Sequence, residues 1–230
     1  MILTPEALSS LEGRLIVSAQ AYPGEPMRDP RTMAQVAASA VRGGAAAVRV
    51  QGLADIQAAR SAVDVPVIGL FKDGASGVFI TPTAHHAIAV AQAGAHVVAL
   101  DGTRRPRPDG RTLTETVRLL RSATGASVMA DCGSLADAEA AAEAGVDLIG
   151  TTLAGYTGER ARTVGPDLEL IADISAAGLG LPLIAEGRVH TPAQAQAARA
   201  AGAFAVVVGT AITHPATITG WFAEALTTTD

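Results

Sequence analysis

The sequence predicts an α/β fold: a single (β/α)8 TIM barrel with a parallel eight-stranded sheet, one catalytic domain over residues 1–230. Three observations predict it. Eight short β-rich apolar runs alternate with amphipathic, alanine-rich stretches. A similar glycine phrase recurs where such a stretch passes into the next run. The length, 230 residues, also suits one closed barrel, since single barrels run to about 250 residues.

The runs, in order, are residues 15–18, 47–50, 67–71, 97–100, 127–130, 148–151, 183–185 and 204–208. Most are nearly continuous in apolar residues, the pattern of parallel strands covered by helices on their outer face. Between them apolar residues recur at three and four, as over 32–41 and 193–201, with Gly43 or Gly202 following as a stop. Pro82 and Pro192, each behind a threonine, suit helix starts. The phrases Arg42 Gly43 Gly44 Ala45, Ala93 Gly94 Ala95 His96, Ala144 Gly145 Val146 Asp147 and Ala201 Gly202 Ala203 Phe204 each end a helix and lead into a strand, so the unit is a βα repeat. An open, doubly wound sheet is the alternative. It ordinarily carries a glycine-rich phosphate turn after its first strand, and Ser18 Ala19 Gln20 Ala21 holds no glycine.

Composition narrows the partners and the location. The chain sets 17 basic against 22 acidic side chains, a net charge of −5, without long basic runs. Nucleic acid and anionic membrane surfaces are thereby excluded as main partners, because both need clustered cations. Cys132 is the sole cysteine and asparagine is absent, so neither an internal disulfide nor a glycosylation sequon exists. Met1 Ile2 Leu3 Thr4 Pro5 Glu6 lacks the basic patch and apolar core of a secretory signal, and a cytoplasmic location is expected. The uncharged run 200–223 is broken by Gly209, Thr210, Thr213, His214, Pro215 and Gly220, so it reads as strand, loop and helix rather than a membrane span.

Barrel enzymes place their chemistry just beyond the strands, at the carboxyl face. Those positions hold Gln20, Lys72, Asp101, Asp131, Thr152, Glu186 and Gly209, and Arg49 stands near the end of the second strand. Lys72 is the only lysine among the 17 basic residues; coding bias accounts for the arginine excess. A position that keeps lysine against that drift needs what arginine cannot do, which is to release a proton or attack a carbonyl near neutral pH. Lys72 and Glu186 follow strands on opposite sides of the ring and suit a two-base inversion of a carbon bearing an acidic proton. A rim salt bridge for Lys72, and a buried ion pair with Arg188 or Arg49 for Glu186, are the plainer readings. Asp101 and Asp131 either order that pair or cap helices. Glu186 Gly187 Arg188 and Gly209 Thr210 lie on the two loops where barrels hold a phosphate on backbone N–H groups, unless their glycines merely turn the chain. No metal site is expected: His85 and His86 are adjacent and lack a third ligand at suitable spacing. Cys132 reads as a small hydrophobe, and the arginine-rich segment 103–110 as a stiff, solvated loop.

Several phrases together resemble the bacterial N-acetylmannosamine-6-phosphate 2-epimerase family over nearly the whole chain. They include Gln20 Ala21 Tyr22 Pro23 Gly24 Glu25 Pro26, Phe79 Ile80 Thr81 Pro82 Thr83, Arg107 Pro108 Asp109 Gly110, Met129 Ala130 Asp131, Gly150 Thr151 Thr152 Leu153 Ala154 Gly155 Tyr156 Thr157, and Val207 Val208 Gly209 Thr210 Ala211 Ile212 Thr213. The resemblance implies interconversion of N-acetylmannosamine 6-phosphate and N-acetylglucosamine 6-phosphate, a step of sialic acid salvage, with no cofactor. It puts the family's base on Lys72 and that base's partner on Glu186, and makes Arg49 and Asp131 substrate contacts. Gln20, Thr152, Gly187, Arg188, Gly209 and Thr210 complete the expected substrate-binding set. Departures from the family pattern stand at Gln51 for asparagine, Gly133 for serine and His214 for arginine. A neutral His214 weakens phosphate binding unless the bound dianion draws a proton onto it. Two other functions fit the same barrel, a Schiff-base aldolase or lyase and a non-catalytic sugar-phosphate binder. Apolar residues near Trp221 and Phe222 on the last helix favour a homodimer.

Overall fold

The computed structural model describes residues 3–227. In chain order they form α1 (Pro5–Ser9), β1 (Leu15–Ala19), α2 (Pro30–Arg42), β2 (Ala47–Gln51), α3 (Leu53–Ala62), β3 (Val67–Leu70), α4 (Ala84–Gln92), β4 (Val97–Asp101), α5 (Leu113–Ala123), β5 (Ser127–Asp131), α6 (Leu135–Glu143), β6 (Leu148–Gly150), α7 (Leu168–Ala176), β7 (Leu183–Glu186), α8 (Pro192–Ala200), β8 (Ala205–Val208), α9 (Thr210–Thr213) and α10 (Pro215–Thr227). The eight strands pair in parallel and in sequence order, and β1 also pairs with β8, so the barrel closes. Strand ends differ from the expected ones by about one residue. The helices begin where capping dictates: Thr112 and Thr191 form reciprocal capping boxes with Glu115 and Gln194, and Pro192 opens α8. Pro82 does not open a helix. Thr83 is the N-cap of α4 and its hydroxyl accepts from the His86 backbone N–H, so Pro82 stands one residue outside the cap.

Side chains alternate between two cores. Ile16, Ala47, Ile68, Leu70, Val97, Ala99, Met129, Leu148, Ile184, Ala205 and Val207 fill the barrel, joined by Leu3 and Leu11. Val17 aside, their neighbours along the strands, among them Val48, Val50, Val98, Val128, Ile149 and Val206, pack against the helices. That period of two leads to the site: within their strands Arg49 continues the inward row of Ala47, Asp131 that of Met129 and Glu186 that of Ile184, and Lys72, two residues past the end of β3, continues that of Ile68 and Leu70.

Candidate active site

A cavity of about 490 Å³ opens at the carboxyl mouth of the barrel. Gln20, Arg49, Lys72, Thr152, Glu186, Gly187, Arg188, Gly209 and Thr210 all line it, nine of the ten expected site residues. Asp131 does not. It is fully buried behind Arg49, and both of its oxygens are occupied: Arg49 Nη1 and Nη2 donate to Oδ1 and Oδ2 at 3.0 and 2.6 Å, and the Thr152 hydroxyl donates to Oδ1 at 2.7 Å. Its partners in the structure are thus Arg49 and Thr152, both of which line the cavity. Gly150, its register neighbour on β6, makes room for it: a methyl there would come within 2.5 Å of Met129 Cε and 3.2 Å of Asp131 Oδ1. Asp101 plays no part in the pair. Its carboxylate accepts from the Thr103 N–H and hydroxyl and from Arg105, bracing the loop after β4 rather than capping a helix.

Arg49 is the hub. Its Nη1 also lies 2.8 Å from Glu186 Oε2, so one buried guanidinium serves two carboxylates. Burial disfavours its charge, but Asp131 and Glu186 outweigh that and hold its pKa above the ordinary value. Glu186 is pushed up to about 7, first by burial and then by Asp131, against the opposing pull of Arg49. Lys72 is pushed down to about 8, chiefly by burial and secondly by the Arg49 charge. Two groups whose ordinary values stand six units apart, at 10.5 and 4.5, are thus both drawn toward neutrality in one cavity.

The lysine's backbone is fastened at its base. Lys72 forms an antiparallel bridge with Ile80, and Thr81, at φ 45°, donates its hydroxyl to the Ala99 carbonyl at 2.6 Å and accepts from the Phe71 N–H at 3.1 Å. Its Nζ sits 4.9 Å from the centre of the Tyr22 ring. Tyr22 and Tyr156, from the loops after β1 and β6, line the cavity with Phe79, His190 and His214, none of them expected as site residues except His214. Their loops follow no periodic pattern, and only the quoted phrases around Tyr22 and Tyr156 pointed near them.

Glycine has a stated reason at Gly187, which adopts φ 116°. Arg188 turns its guanidinium away into the β6–α7 loop, donating to the carbonyls of Gly165 and Ala154 and to the Thr163 hydroxyl. Gly209 precedes α9 without a side-chain cap, and Gly209 and Thr210 line the cavity. Segment 103–110 is a loop with Arg104, Pro106, Pro108 and Gly110 exposed, as expected, but Thr103 and Arg107 are buried, and Arg107 donates to the carbonyls of Asp101 and Pro82. Gly133 has no room for a side chain, since a Cβ there would lie 2.6 Å from Thr157 Oγ1. Cys132 is wholly buried, and burial pushes its thiol up, as suits a small hydrophobe.

A closed parallel barrel with an amine, a carboxyl group and a buried guanidinium lining one cavity at its carboxyl mouth has the build of a barrel enzyme. The chain matches the NanE family, described as "Putative N-acetylmannosamine-6-phosphate epimerase", over residues 33–228. A relative from Cutibacterium acnes carrying the corresponding 2-epimerase name is 58% identical, with 97% of this chain and 98% of that one aligned. One from Corynebacterium glutamicum with the same name is 48% identical over 95% of each. The solved N-acetylmannosamine-6-phosphate 2-epimerase of Clostridium perfringens superposes with a TM-score of 0.90 at 35% identity, over 95% of both chains. The chain belongs to the NanE epimerase family, and so to the isomerases.

Proposed function

We propose that the chain interconverts N-acetylmannosamine 6-phosphate and N-acetylglucosamine 6-phosphate by taking and returning the proton on C2, without a cofactor. Family membership supports the substrate, and one observation carries the mechanism: Lys72 and Glu186 share a cavity, each shifted toward neutrality. The sugar reacts as its open-chain aldehyde. Neutral Lys72 takes the C2 proton, the C–H electron pair moves into the carbonyl to give an enolate, and protonated Glu186 returns a proton to the opposite face. The reverse direction exchanges the two roles, because the pair ends with ammonium and carboxylate.

The remaining residues divide the substrate between them. Gln20, Arg49 and Thr152 bind the sugar, Asp131 holds Arg49 in place, and Gly187, Arg188, Gly209 and Thr210 form the phosphate end against the start of α9. No helix among the described residues is long and apolar enough to cross a membrane. The reading assigns a small-molecule partner rather than nucleic acid, a cytoplasmic setting and a homodimer. The dimer rests on α10, which buries none of its residues and exposes Trp221, Phe222 and Leu226.

NMR of N-acetylmannosamine 6-phosphate with the protein in deuterated water tests this reading. Deuterium enters C2 of both sugars as they equilibrate, and Lys72→Arg, which keeps the charge but not the base, lowers exchange at least about a thousandfold. Bound ligand without exchange would leave only a binding barrel. A borohydride-trapped adduct on Lys72 would mean Schiff-base chemistry instead.

A further inference from the structure

The amine at the centre of the cavity is stripped of ordinary partners. A charged lysine carries three N–H donors, yet among the described residues Lys72 Nζ has no hydrogen-bond or ion-pair partner. What it meets instead is the face of the Tyr22 ring, 4.9 Å from Nζ to the centroid and inside the roughly 6 Å range of a cation–π contact. That ring is held in place by its own loop and by a neighbour. The Tyr22 N–H donates to Glu25 Oε2 at 2.6 Å, the Glu25 N–H donates to the Tyr22 carbonyl at 3.1 Å, and Arg28 donates to the Ala21 carbonyl at 3.1 Å. His214 packs on the ring with centroids 5.2 Å apart. Burial, and then the negative charge of Glu25 and Glu186 and the nearby Tyr156, hold the phenol above its ordinary pKa, so the ring stays neutral and its face electron-rich.

A group that must first take a proton and then carry it sets a particular demand on its surroundings. A carboxylate bonded to Nζ would keep the amine charged, and a wholly apolar wall would make the ammonium costly. A π face attracts the cation and makes no claim on the lone pair of the neutral amine. Resting on the assignment of Lys72 as the base, we propose that Tyr22 is a positioning residue of this reaction: its ring holds Nζ in place and stabilises the ammonium that Lys72 becomes on taking the C2 proton.

The other charges acting on Nζ come from separate elements. Arg49 on β2 and Arg28 on the β1–α2 loop oppose its proton, whereas Glu186 on β7 and Asp131 on β5 favour it. Glu25 and His214 bear on the ring rather than on Nζ. All of these groups remain when residue 22 alone is changed, so substitution there isolates the ring.

Lys72 is the only lysine of the chain, so protein labelled with carbon-13 at lysine Cε gives one side-chain resonance that reports the protonation of this amine without any substrate. Wild type and Tyr22→Phe, which share the π face, titrate within about 0.2 pH units of each other. Tyr22→Leu titrates about 0.4 to 1.5 pH units lower, an ammonium about two- to thirtyfold easier to deprotonate. Pentafluorophenylalanine at position 22 keeps the ring's shape and drains its face; it falls with Tyr22→Leu and keeps the test open where leucine disturbs the loop. The alkaline flank of kcat/KM moves down by the same amounts and returns with Tyr22→Phe. An amine in Tyr22→Leu titrating at or above the wild-type value would overturn the proposal, as would a fluorinated ring that titrates with Tyr22→Phe. Tyr22→Phe falling as far as Tyr22→Leu would also overturn it, because the hydroxyl rather than the face would then hold the amine. If wild type exchanges no C2 hydrogen while these titrations hold, the epimerase reading fails and the hold of the ring on the amine does not.

Discussion

Replacing Asp131 by alanine takes away both oxygens that face Arg49 and leaves a guanidinium of 1% exposure with Glu186 as its remaining anion. Breaking a buried ion pair from one side costs about 3–5 kcal/mol, and the surviving Glu186 contact argues for the lower end, about 3. At roughly 2–4 °C per kcal/mol for a chain of this size, thermal unfolding moves down by about 6–12 °C. The carboxyl of Glu186 changes too. It loses the repulsion of Asp131 and gains Arg49 undivided, so its pKa falls below the present value of about 7. Calorimetry gives the first effect, and the acid flank of the kcat/KM profile gives the second. An Asp131→Ala protein melting within about 2 °C of wild type, with that flank unmoved, would refute the hub role of Arg49.

Activity with pH follows from the protons on the Lys72–Glu186 pair. The reactive pair carries one proton between them: below about 7 both groups are protonated and no base remains, and above about 8 both have lost theirs and no acid remains. A bell-shaped kcat/KM profile peaking between those values is expected, and a rate still climbing at pH 9 would contradict it. Gly133→Ser should destabilise by about 1–3 kcal/mol through the contact with Thr157, and Thr157→Ala in the same chain should restore most of the loss. Melting curves of the single and double variants check this.

The barrel was legible because both of its periodicities are written locally. Apolar recurrence marked the helices, continuous apolar runs marked the strands, and the positions at or just after the strand ends included Arg49, Lys72 and Glu186. Lys72 stood out for a compositional reason, being the one lysine in an arginine-rich chain. Depth was not legible. Asp131 and Glu186 both continue inward rows, yet Asp131 is sealed beneath Arg49 while Glu186 reaches the cavity, and that difference depends on how the long Arg49 side chain crosses the barrel. Arg107 illustrates the same limit. Its sequence neighbourhood is charged and proline-rich, the mark of a solvated segment, but its acceptors lie on Asp101 and Pro82, the latter 25 residues away. Tyr22 and Tyr156 sit on irregular loops built of local turns, with Glu25 N–H on the Tyr22 carbonyl and Tyr156 N–H on the Leu153 carbonyl, which carry no apolar period.

The short hairpin that carries the lysine separates two properties that usually change together. Its base is locked by the Lys72–Ile80 bridge and by Thr81 reaching across to Ala99, whereas its tip, residues 73–77, is exposed and turns through Gly74 and Gly77 at positive φ. Ala75 in that tip forms part of the cavity roof. Exchanges in the tip thus change the shape of the cavity's roof while the bridge at the base keeps the Lys72 backbone where it is.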